Sequence, residues 1–174
     1  MSPPRAHRLP WPLLAGALAG GLAASLLAGC SDEPDDDRLS RRAWIRRADA
    51  ICRAENADRA VLEAPAFDPL SGDLTSAQLA EAADFLERSL TLSDDTTEQL
   101  DTLGLPATDA DEVEEILDER ASGRERLVRA IEGARDGDME LFRDNFGRAS
   151  GDYAEAGRLA AELGLRQCGQ EPAA

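Results

Sequence analysis

Carboxylates are the commonest side chains here that could do chemistry: 35 Asp and Glu in 174 residues, for a net charge of −16. They bunch at Asp109, Asp111, Glu112, Glu114, Glu115, Asp118 and Glu119, with the pair Asp94-Asp95 ahead of them. Such a cluster could hold Ca²⁺, but the EF-hand order, with Gly at its sixth position and Glu at its twelfth, is missing. Helical spacing would also fan these groups around a cylinder, so a solvated helix surface is the expectation. A bundle di-metal site needs Glu-x-x-His pairs, and the only histidine is His7, near the N-terminus. No metal, haem or other cofactor is expected. Nucleophilic catalysis needs an activated Ser, Cys or Thr beside a base. Beyond His7 there is no imidazole, every basic residue is Arg, and no G-x-S-x-G elbow occurs. The chain reads as non-enzymatic, with no catalytic residue. Its acidity also argues against a nucleic-acid partner, which would need a basic footprint.

Cys30 stands apart. Before it come Arg5, His7 and Arg8 with no acid, then an apolar stretch from Leu13 to Ala28 and the small pair Ala28-Gly29, the three parts of a secretion signal. Pro10, Pro12 and four glycines interrupt the segment, which is shorter than the roughly 20 apolar residues of a membrane span. The run Leu27-Ala28-Gly29-Cys30 resembles the lipobox of bacterial lipoproteins. That resemblance implies that residues 1–29 are a cleaved signal peptide and that Cys30 carries a thioether-linked diacylglycerol, often with a third acyl chain on the new amino terminus. The protein would then be lipid-anchored on the extracytoplasmic side of the cell membrane, since two or three chains hold stably where one does not. The resemblance covers the first thirty residues. The composition, rich in Ala, Arg, Asp and Glu and free of Lys, resembles that of high-GC bacteria.

With Cys30 assigned to lipid, Cys52 and Cys168 remain for one another in an oxidising exterior. Their bridge would close a loop of about 115 residues, stabilising by about 4–5 kcal/mol on the chain-entropy view. A CxxC-like redox site is the alternative, but neither cysteine has a second one nearby to resolve a mixed disulfide.

The elements that would position these groups are helical; no alternating strand pattern occurs. Residues 30–38 form an acidic tether behind the lipidated Cys30, residues 39–168 the folded domain, and residues 169–174 a flexible tail. A first helix is expected from about Leu39 to Leu62. The second opens on a capping box, Thr75 with Gln78, and carries Leu79, Ala83, Leu86, Leu90, Ser93, Thr97 and Leu100 at heptad spacing. The third opens on a second box-like pair, Thr108 and Asp111. The turn at Arg135-Asp136-Gly137-Asp138 leads to a fourth, with Phe142, Phe146, Ala149, Tyr153, Ala156, Ala160 and Leu163 on one stripe and Gly164 as its cap. Four amphipathic helices of roughly 24–29 residues with short loops predict an all-α, antiparallel four-helix bundle, up-down-up-down. Cys52 lies about three turns inside the first helix, so the tail from Leu165 must fold back to reach it. Otherwise the helix's first turns project beyond the bundle.

Two patches on the first helix invite function. Arg38, Arg41, Arg42, Arg46, Arg47 and Arg53 face only Asp49 as an acid within residues 38–53. Directly after a lipid anchor, these arginines could contact anionic head groups; the preferred reading is that they pair with acidic flanks of neighbouring helices, where each pair is worth little. Cys52, Glu55, Asn56 and Arg59 share one face and interrupt its apolar stripe. A buried polar network or the edge of the stripe is the preferred reading over a ligand pocket. The leading functional reading is a lipid-anchored interaction or structural module of the cell envelope, with the membrane and another envelope protein as partners. The alternative is a carrier holding a small or hydrophobic ligand inside the bundle.

Overall fold

The computed structural model describes residues 38–70 and 72–168, within the unit Asp35–Ala174. Cys30, its lipobox, the leader, the tether up to residue 37 and the tail 169–174 lie outside the described residues. Among the described residues there are four helices: α1 (Arg41–Arg59), α2 (Ser76–Thr102), α3 (Ala110–Asp136) and α4 (Met139–Leu163).

Local capping explains most of their ends. The Thr75 hydroxyl accepts from Gln78 N–H while the Gln78 amide oxygen accepts from Thr75 N–H, the expected capping box. Asp138 caps α4 by accepting from Leu141 N–H at 3.0 Å. Gly137 and Gly164 end α3 and α4 in the left-handed region, at φ 76° and 97°.

The start of α3 departs from expectation. Its N-cap is Asp109, left-handed at φ 61°, with no side-chain cap; the Thr108–Asp111 box does not form. Arg41 holds the Asp109 carboxylate at 2.6 Å and Thr108 turns its hydroxyl to the same group, so a tertiary ion pair replaces the local cap. The first helix is also shorter than its apolar pattern suggested, ending at Arg59 before the turn at residues 60–62.

Cross-helix pairs fix an up-down-up-down order. Arg120, Arg124 and Arg135 of α3 meet Thr97, Asp94 and Asp84 of α2 in descending order. Along α3 and α4, Arg126 meets Asp152 and Gly133 meets Phe142. Trp44 donates from its indole to Gly104 O at 2.8 Å, placing the start of α1 beside the end of α2.

α1 has 19 residues where the others have 25 to 27, about 28 Å against about 40 Å of rise. The core is therefore built in two parts. At the α1 end, Trp44 and Ala48 pack with Leu100, Val113, Ile116, Ala160, Leu163 and Leu165. At the other end, Leu79, Leu86, Leu127, Ile131 and Phe142 form the core, and Phe67 and Leu74 from the α1–α2 connection pack where α1 no longer reaches.

The end of the described chain folds back along α1. Leu165 N–H bonds to Ala160 O and its side chain is buried. Asp49 Oδ1 accepts from both Arg166 and Gln167 N–H at 2.8 Å, and Asn56 Nδ2 donates to Gln167 O at 3.0 Å. This return brings Cys168 to Cys52, and the two form the disulfide, Cα atoms 5.0 Å apart. The first turns of α1 consequently stay within the bundle, with Trp44 3% exposed.

Candidate functional site: an arginine face and a buried polar cluster

α1 has two chemically distinct sides. Trp44, Ala48 and Cys52 define the buried one. Arg42, Arg46 and Arg53 follow one another at four and seven residues, which at 3.6 per turn puts them on a common outward face; Arg47 flanks it. All four are exposed, and none meets a carboxylate among the described residues. The tail adds Arg166, exposed and anchored through its backbone to Asp49.

The six arginines of residues 38–53 thus divide. Arg41 is committed to the fold: besides Asp109, it donates to Leu163 O at 2.6 Å, tying the starts of α1 and α3 to the end of α4. Arg38 is exposed and has a partner of its own. Among the described residues, the expected pairing with neighbouring acidic flanks holds for Arg41 and not for Arg42, Arg46, Arg47 or Arg53.

Inside the bundle, Cys52, Glu55, Asn56 and Arg59 are brought together as a connected polar cluster. Cys52 is in the disulfide and Asn56 binds the tail. Glu55 accepts from Arg59 at 2.6 Å and lies 3.6 Å from Arg120, with side chains 8% and 11% exposed for Glu55 and Arg120. Arg120 also donates to Thr97 Oγ1 and Ser93 Oγ, at 3.3 and 3.2 Å. Next to it, the buried Tyr153 hydroxyl has no hydrogen bond of acceptable geometry among the described residues. Burial pushes the Tyr153 phenol above its ordinary value, with Ser93 and Arg120 acting in the opposite direction.

Trp44, Ile116, Arg120, Tyr153 and Ala160 line a void of about 30 Å³ beside this cluster. That volume suits one water molecule and is an order of magnitude below the roughly 300–1,000 Å³ of small-molecule sites.

Of the acidic clusters, Asp95, Asp111, Glu112, Glu114, Glu115 and Asp118 are exposed, while Asp94, Asp109 and Glu119 are half-buried. Asp94 receives both arms of Arg124, at 2.7 and 2.9 Å, and Arg135 bridges Asp84 and Glu87. Among the described residues no group of His, Cys, Asp and Glu is arranged to hold a metal ion, and no helix is long and apolar enough to cross a membrane.

The sequence reading missed Arg120 and the tail-binding role of Asp49. Arg120 does leave a trace: it occupies an inward position between Ile116 and Gly123, both buried, and a charge in core register needs an internal partner. Asp49 carries no such signal, because its acceptors' partners are backbone amides far along the chain.

Comparison of the chain with protein-family models, curated proteins and solved structures gives no match.

Proposed function

We propose that this chain is a lipid-anchored extracytoplasmic helical module, held in the cell membrane through Cys30 and acting through its surface rather than an enclosed site. The observation that carries the reading is the closed interior. Its inward charges are engaged with one another, Glu55 taking Arg59 on one oxygen and Arg120 on the other, and the void beside them has room for about one water. A carrier would need a cavity many times larger. The Cys52–Cys168 disulfide agrees with an oxidising compartment outside the cytoplasm.

Lipid attachment is tested by fractionating cells that express the full chain with Cys30→Ala. Retention of the uncleaved leader or release from the membrane is expected; a mature-sized variant still in the membrane fraction would remove the anchor from the proposal. In-cell crosslinking from several surface positions tests the module reading, and a uniform failure to capture any protein or lipid would count against it.

A further inference from the structure

We infer that the outward face of α1, formed by Arg42, Arg46 and Arg53 with Arg47 and Arg166 at its edges, docks on anionic lipid head groups of the bilayer that holds Cys30. Three observations point to this occupant. The arginines are exposed and pair with no acid among the described residues, whereas Arg41, Arg124 and Arg135 are engaged with acids, so the face is a concentration of positive charge in a chain of net charge −16. Alanines 50, 54 and 57 are the exposed neutral residues of the helix, which gives a surface contact without an apolar wedge. Finally, Arg42 lies twelve residues after Cys30, at most about 40 Å along a fully extended chain. The inference rests on the Cys30 anchor for this proximity.

The acidity of the remaining body does not prevent docking. At about 0.15 M salt the Debye length is about 8 Å, less than the 10–12 Å breadth of a helix. Carboxylates on the other helices are screened from lipid beneath α1, while the arginines touch it. On α1 itself, Asp58 is the exposed acid, and Asp49 is half-buried and already accepts two tail amides. The charge asymmetry therefore selects one orientation of the domain, α1 toward the membrane.

Both core clusters and the disulfide lie within residues 38–168, so a chain beginning at Ser31, made with the disulfide formed, retains the fold without the lipid. Its co-sedimentation with phosphatidylglycerol-containing vesicles and with pure phosphatidylcholine vesicles tests the inference. Binding to the anionic vesicles alone is expected, and it should vanish near 1 M salt, where screening acts within about 3 Å. The exposed triple substitution R42Q/R46Q/R53Q should lower the partition coefficient by roughly a hundredfold, at about fivefold per arginine. The charge-matched control R129Q/R148Q/R158Q should change it little. Failure to bind the anionic vesicles, equal binding to both, or undiminished binding by the triple variant would overturn the docking face. The Cys30→Ala fractionation moves independently: a positive vesicle result with a membrane-retained, mature-sized Cys30→Ala chain would refute the anchor and leave the face standing.

Discussion

Arg120 crosses from α3 to meet Glu55 of α1 inside the bundle, Nη2 to Oε2 at 3.6 Å, where neither side chain is more than 11% exposed. The Glu55 carboxylate thereby takes Arg120 on one oxygen and Arg59 on the other. A buried ion pair contributes little net stability over apolar residues of similar volume, but removing one partner strands the other. The pair thus matters most as a fixed register between α1 and α3.

Glu55→Ala should lower unfolding stability by about 3 kcal/mol, since two guanidinium groups lose their carboxylate, whereas the double variant Glu55→Met with Arg120→Met should recover most of that loss. Urea denaturation of both variants measures the difference. A Glu55→Ala value indistinguishable from wild type would mean that the cluster is solvated and not buried.

Glycines in α3 and α4 divide by surroundings. A Cβ on Gly133 would lie 2.7 Å from the Phe142 backbone nitrogen, while one on Gly147 or Gly151 would meet nothing within 4 Å. Gly133→Ala should force α3 and α4 apart and cost about 3 kcal/mol. Gly147→Ala and Gly151→Ala should each stabilise by about 0.5–1 kcal/mol, the usual gain for Ala over Gly in a helix. Opposite signs in thermal melts are the signature; equal effects at Gly133 and Gly147 would contradict the close approach.

These differences mark how far the sequence could be read. Heptad spacing exposed the line from Leu79 to Leu100, because one buried face leaves one periodic stripe. It did not show that Ala82, Ser89 and Thr96 are buried too, since α2 packs on both α1 and α3 and small residues carry little hydrophobic signal. The capping box at Thr75 was legible as a local motif, whereas the bare cap at Asp109 was decided by Arg41, 68 positions away. The Cys52–Cys168 pairing could be reached by elimination, but the path of the tail depends on Asp49 and Asn56. The basic segment was visible as composition; only the fold separates Arg41 from the outward Arg42, Arg46 and Arg53.

The tail is fastened by the disulfide, by Asp49 and by Asn56. Replacing both Cys52 and Cys168 with Ala opens a loop spanning a sequence separation of 116 and should cost about 4 kcal/mol. Asp49→Asn should cost about 1–2 kcal/mol, because the amide oxygen still accepts but without charge assistance. In hydrogen exchange, both changes should speed Arg166 and Gln167 and the middle of α1 while leaving the Gly133 region of α3 protected. Uniform acceleration along all four helices would show that tail and bundle open as one unit.

Tyr153 supplies a pH test with an isolated optical signal, because it is the sole tyrosine and the chain has no lysine to titrate beside it. Burial raises its folded-state value above 10, while the unfolded chain keeps the ordinary one near 10. Below about pH 10 both states hold the proton and stability is independent of this group. Above it the unfolded state releases the proton first, so stability should fall as pH rises toward the folded-state value. Absorbance near 295 nm should show the phenolate appearing later in the folded protein than in urea, with urea midpoints declining over the same window. Tyr153→Phe removes a buried hydroxyl that lacks a partner, so it should keep or slightly increase stability at neutral pH and abolish the alkaline decline. A folded-state phenol titrating at or below the unfolded one would show that water reaches the hydroxyl through the void beside Arg120.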